Sequence, residues 1–167
     1  MDSDHLIDRI WDILRDEQPD IVATFGEDGI TGHPDHIAGG RATTAAFMRG
    51  VEAGSSGFRR LLHACIPQSQ IDRWNANRMA AGDFVWDAGL SFHLRGVPDE
   101  SVGISVDTRS VAALTAEALR AHKSQWSLSL MRVPDDVLAR SLRTEDWVVA
   151  WPSSPPGAIL SDVFEGL

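Results

Sequence analysis

Apolar residues in the first turns of the chain, Leu6, Ile7, Ile10, Trp11, Ile13 and Leu14, recur at helical spacing and predict an amphipathic helix over 4–17, broken at Pro19 and Asp20. Residues 21–25 form a short apolar run between turn formers, the pattern of a buried strand. Residues 26–33, punctuated by Gly26, Gly29 and Gly32, read as loop. Pro34 then opens a helix to about residue 51, since a proline at the first helical position gives up an N–H that would be unpaired there anyway. Small residues along it (Ala38, Gly39, Gly40, Ala42, Ala45, Ala46) allow close packing on a sheet.

Further on, 60–66 reads as a second strand stopped by Pro67, 68–81 as a helix ending at Gly82, and 102–106 as a third strand. Helices are expected at 110–123 and 134–142, and a last strand at 147–151 before Pro152. Residues 83–101 have no clear period. A long irregular segment in a compact domain is often functional or a subunit contact. The alternating order predicts an α/β sheet with parallel portions. Neither an internal repeat nor an inter-domain linker is visible, so 1–167 reads as a single domain.

Composition narrows the partners. Apolar residues at 43% suffice for a core, so disorder is not expected. A formal charge of −9 argues against nucleic acid or an anionic membrane, both of which need a basic face. The single cysteine, Cys65, excludes an internal disulfide and any multi-cysteine zinc site, and suits a reducing cytoplasm. No signal peptide is visible in these residues, and no apolar stretch approaches the ~20 residues that span a membrane.

The candidate chemistry lies in His33-Pro34-Asp35-His36. With Pro34 in the first turn, residues three apart share a helix face, so the two imidazoles can converge on one point. Asp35 falls where the helix dipole favours negative charge. A glycine-rich loop and an apolar strand precede them, the layout of an α/β site at the carboxyl end of a strand. The bland alternative is a pair of hydrogen-bonded, inert helix-start histidines. Asp28 reads as either a turn former or a loop-orienting carboxylate, and His122 as either a helix-end cap or a cleft residue. His63 and His93 read as a core or edge histidine and a loop histidine. Cys65 has no base at hand to make it a nucleophile.

Phe25-Gly26-Glu27-Asp28-Gly29 followed by Gly32-His33-Pro34-Asp35-His36 resembles the downstream metal motif of the PIG-L/LmbE family of zinc-dependent N-acetylglucosaminyl deacetylases. The stretch from Val106-Asp107-Thr108 into 118–125 is similar to that family's late strand and helix. The resemblance implies a Rossmann-like sheet flanked by helices, and a hydrolase acting on an N-acetylated amino sugar or its conjugate. It implies His36 as a zinc ligand, His33 as oxyanion stabiliser or proton donor, and Asp35 as the carboxylate that orients and charges His33; Asp28 and His122 are candidate substrate-binding residues by their positions alone, Asp28 also being able to approach the metal. The family's His-Pro-Asp-Asp-Glu motif, source of two ligands and the base, does not occur here. The expected zinc site is therefore incomplete, early strands are expected to be missing, and the sequence reads as the downstream part of a longer protein.

Two other readings stay open. One is a metal-free, degenerate family member acting as a binding or assembly module. The other is a different metal enzyme using His33 and His36 with Asp28 or His63. A homo-oligomer is a further possibility, since an apolar sheet edge invites pairing.

Overall fold

The computed structural model describes residues 3–123, 142–153 and 157–167. The elements in chain order are α1 (Ser3–Glu17), β1 (Ile21–Phe25), a short α2 (Gly29–Gly32), α3 (Pro34–Glu52), β2 (Arg60–Cys65), α4 (Gln68–Ala80), a 3-10 turn (Asp99–Ser101), β3 (Ile104–Asp107), α5 (Ala112–Ala121) and β4 (Thr144–Trp151). The helix expected at 134–142 lies outside the described residues, apart from Leu142 itself. No helix among those described is long and apolar enough to cross a membrane.

The four strands form one sheet in the order β1-β2-β4-β3. β1 and β2 run parallel, with Ile21 opposite Arg60 and Phe25 opposite Ala64. β4 runs antiparallel to β2, from Leu61 opposite Trp151 to Cys65 opposite Asp146, with an irregularity between Leu61 and Leu62. The fold is α/β, as the alternating order predicts, and Rossmann-like, as the resemblance implies, with a mixed sheet.

Residues 1–104 and 146–167 make one compact unit and residues 105–145 another. In the first, α1 packs on α3, and α3 on β1 and β2. Val22, Phe47, Phe58 and Leu61 form a buried cluster, with Trp11, Leu14 and Trp151 against it. Phe58 sits 5.5 Å from Phe47, edge to face, and 6.1 Å from Trp11. This cluster accounts for the apolar stripe of α1, except that Ile13, counted in that pattern from the sequence, faces away from the cluster and is 62% exposed. The small residues of α3 serve as expected: a Cβ on Gly40 would stand 2.4 Å from the Phe25 carbonyl oxygen, so only glycine lets the helix lie this close to the end of β1.

Alternate residues of β2 face opposite ways. His63 meets Thr44 of α3. Arg60, buried, donates from Nη1 to the Val163 carbonyl and from Nη2 to that of Glu165 at 2.7 Å, fastening the last turns of the chain to the sheet. Leu160 adds a backbone bond to Gly103, 2.9 Å.

In the second unit, α5 buries Ala112 and Ala116. The Arg109 guanidinium beside Asp107 holds that carboxyl down to about 2. Thr108 bonds the backbone of Arg143 at 3.0 Å and that of Leu142 at 3.2 Å.

Candidate active site

The 26–33 stretch, expected to be plain loop, contains a helical turn with a kink. Asp28 caps it, its Oδ1 accepting the Ile30 N–H at 2.9 Å. Gly29 and Gly32 take φ of +61° and +69°, and Ile30 itself takes 63°. Backbone in this left-handed region is cheap only for glycine. A Cβ on Gly29 would also stand 2.9 Å from that of His36, so the turn and the following helix can meet only here without a side chain.

His33, extended because it precedes Pro34, is the N-cap of α3. Its Nδ1 accepts the Asp35 backbone N–H at 3.1 Å. An amide N–H can only donate, so this nitrogen carries no proton, and in the neutral ring Nε2 is the N–H donor. His36 is the reverse. Its Nδ1 lies 3.1 Å from the Gly29 carbonyl, which can only accept, so Nδ1 carries the proton and Nε2 keeps its lone pair. The rings lie 4.8 Å apart, 26° from parallel. Phe25 stacks flat on His36 at 4.1 Å and 2°. Phe92, from the irregular segment, meets His33 edge-on at 5.2 Å.

Asp35 is linked to His33 through its backbone and not through the carboxylate expected to orient the ring. The reason is local: a side chain in the first turn sits outside the cap it supports, while its N–H points back along the helix at the N-cap residue. Asp28, engaged by its own turn, realises the turn-former reading. Glu27 is exposed. His122 closes α5 in the second unit, its backbone N–H on the Leu119 carbonyl at 3.1 Å and its side chain exposed.

Beside this pair, at the carboxyl ends of β1 and β2, a cavity of about 210 Å³ is lined by Phe25, Gly26, Glu27, Thr44 and His63 among others. His63 Nε2 lies 3.0 Å from Thr44 Oγ1, and burial pushes its imidazole below the ordinary value against the opposing pull of Glu27 and Asp28. Cys65, at the end of the same strand, has its thiol pushed up to about 12, chiefly by burial, which makes it a poor nucleophile. Thr44 carried no functional signal in the sequence; Phe25 was marked only as the first residue of the motif that carries the resemblance, and Phe92 only by lying in the irregular 83–101 segment.

A family model described as PIG-L, GlcNAc-PI de-N-acetylase, matches residues 1–47, which contain this whole turn and both histidines. The 1D-myo-inositol 2-acetamido-2-deoxy-alpha-D-glucopyranoside deacetylase of Tsukamurella paurometabola is 30% identical over 168 aligned positions, 93% of this chain and 56% of that protein. Those of the same name from Nocardiopsis dassonvillei and Acidothermus cellulolyticus are 34% and 35% identical over 118 positions, 68% of this chain and 42% and 39% of theirs. The chain is thus similar to PIG-L deacetylases over most of its length. It spans about half the length of the curated relatives it matches.

That likeness raises the question of a metal. His36 has the form of a zinc-binding histidine: one ring nitrogen donates to a backbone carbonyl, fixing the tautomer and presenting the other nitrogen. A catalytic zinc takes three protein ligands and keeps a fourth position open. Among the described residues no group of three or more His, Cys, Asp or Glu is placed to hold a metal ion. The alternative trio of His33 and His36 with Asp28 or His63 therefore does not form. Asp28 is committed to Ile30, His63 Nε2 to Thr44, and His33 turns an N–H rather than a lone pair outward. The described residues supply one ligand position and do not by themselves fit the metal.

Proposed function

We propose that this chain carries the histidine half of a hydrolytic deacetylase site for an N-acetylated amino sugar or its conjugate. The observation that supports this best is the opposed protonation of the two rings, with Nε2–H on His33 and bare Nε2 on His36. Amide hydrolysis puts negative charge on the carbonyl oxygen, and the Nε2–H of His33 is a preorganised donor for it. Removing one such donor typically costs ~10²–10³-fold in turnover. His36 Nε2 suits one ligand position of a zinc. Asp35 serves by supplying the N–H that fixes the His33 tautomer, and Asp28 by holding the turn on which both rings depend. His122 is the remaining proposed substrate residue, with an exposed side chain at the end of α5.

The names of the matched relatives support the substrate class, a small N-acetylglucosaminyl-inositol conjugate; the net charge of −9 is what argues against a nucleic acid or anionic membrane partner. We read the chain as one deacetylase-like domain of a cytoplasmic protein. A free, half-buried Cys65 that has no partner for an internal disulfide suits that compartment. An unpaired outer edge of β1 among the described residues would serve a homo-oligomer.

The second reading, a metal-free binding or assembly module, is favoured by the lack of a three-ligand cluster among the described residues. Zinc titration followed on the histidine ring resonances separates the two. The deacetylase reading expects weak binding, below one zinc per chain after dialysis, that moves the His36 ring and vanishes in His36→Ala. Zinc that ignores His36, or that moves both rings alike, would count against the division of roles. Glycoside binding with no zinc response at His36 would favour the module.

A further inference from the structure

The irregular 83–101 segment reaches the site. The Phe92 N–H donates to the Thr31 carbonyl and the Arg95 N–H to that of Ile30, both at 2.8 Å, so a stretch some sixty residues downstream is tied to the turn just ahead of His33. Phe92 is held at φ 66°, a conformation unusual for a bulky residue. The residue is 62% exposed although its ring meets His33 edge-on. The Arg95 guanidinium packs against Gly32, so close that a Cβ there would stand 2.3 Å from Nη2. Its Nε is buried and has no acceptor, and its side chain makes no hydrogen bond or ion pair with any described residue. Among the described residues this always-charged fork, packed against the residue before His33, thus has no counter-charge, while the exposed Phe92 lies three residues away on the same segment.

We propose that Phe92 and Arg95 are specificity residues of the His33–His36 site, Phe92 stacking on the sugar ring and Arg95 taking an oxyanion, phosphate or carboxylate, carried by the substrate conjugate. This rests on the deacetylase reading above and adds the charge of the substrate to it. A guanidinium partly withdrawn from water is best satisfied by an anion that accepts two parallel N–H bonds, and a neutral hydroxyl pair offers neither the charge nor that geometry. The ring face needs only an apolar sugar face.

Binding to the chain itself, read from the ring resonances of His33 and His36, tests this without requiring turnover. The probes are N-acetylglucosamine 1-phosphate, the neutral methyl N-acetylglucosaminide and inorganic phosphate. The expected result is an affinity about tenfold higher for the phosphorylated sugar than for the neutral one, weakening with added salt. Arg95→Gln should bring the phosphorylated sugar down to the neutral level, Arg95→Lys should restore part of the preference, and Phe92→Ala should weaken both sugars. Slow exchange of the Phe92 and Arg95 amides in each variant establishes that the segment is still seated.

Equal affinity for the two sugars, or equal loss of both in a seated Arg95→Gln, would overturn the anion assignment and leave the deacetylase reading standing. Inorganic phosphate bound through Arg95 with neither sugar bound would overturn both, as would silence of the histidine rings toward all three probes.

Discussion

His33 and Asp35 are joined by a backbone N–H donated to an imidazole nitrogen at 3.1 Å, which makes the histidine a helix cap and a tautomer-locked donor at once. These roles can be separated. His33→Ala should lose the cap and destabilise the chain by about 1 kcal/mol. His33→Asn should keep the melting temperature within a degree or two, because asparagine caps as well as any residue. Both should lose the Nε2–H, so in any preparation with measurable deacetylation both fall ~10²–10³-fold. Full turnover in His33→Asn would leave His33 a cap and nothing more.

Two neighbouring glycines in α3 should respond with opposite signs. Nothing lies within 4 Å of a Cβ on Gly39, so Gly39→Ala should stabilise by roughly 0.5–1 kcal/mol through helix propensity alone. At Gly40 the same methyl meets the Phe25 carbonyl, and Gly40→Ala should destabilise by about 1–3 kcal/mol. Melting curves of the two variants, side by side, decide it. A stabilising Gly40→Ala would mean that α3 stands farther from β1 than described.

Acid should weaken the fold through His63. Burial depresses its folded-state value, so the unfolded chain binds the proton more readily. The contribution is complete above the ordinary value of 6.5 and is lost as pH falls from there through the folded value. Denaturant midpoints measured from pH 8 to pH 5 should decline, and His63→Gln should flatten the decline. An unchanged slope in that variant would place the acid sensitivity elsewhere.

Cys65 sets the alkaline side. Its thiol, raised from 9.0 to about 12, stays protonated in the folded chain while the unfolded chain releases the proton. Stability should therefore hold below about pH 9 and fall as pH rises through that window. At pH 8 iodoacetamide should label Cys65 slowly in the folded chain and readily once urea unfolds it. Labelling at equal rates would show a thiol less buried than described.

Much of this arrangement was readable in advance. β1 and α3 have the expected starts because Pro19-Asp20, Gly26 and Pro34 act locally on their own backbones. β4 begins three residues earlier than its apolar run, since Thr144 and Glu145 are exposed and carry no apolar signal. Its antiparallel place beside β2 is a long-range pairing that no local pattern encodes. Asp35 was recognisable as a member of the site from its position, but residue type alone does not say whether a carboxylate or a main-chain amide makes the contact. Phe92 and Arg95 were hidden because backbone bonds between two irregular segments leave no periodicity to read.

Arg60 grips its two partners by main-chain oxygens, and those do not titrate. A carboxylate tie would let go in acid. This one keeps its strength at any pH that leaves β2 intact, so release of the final turns reports melting of the sheet itself and makes the far end of the chain an internal gauge of whether the centre still stands.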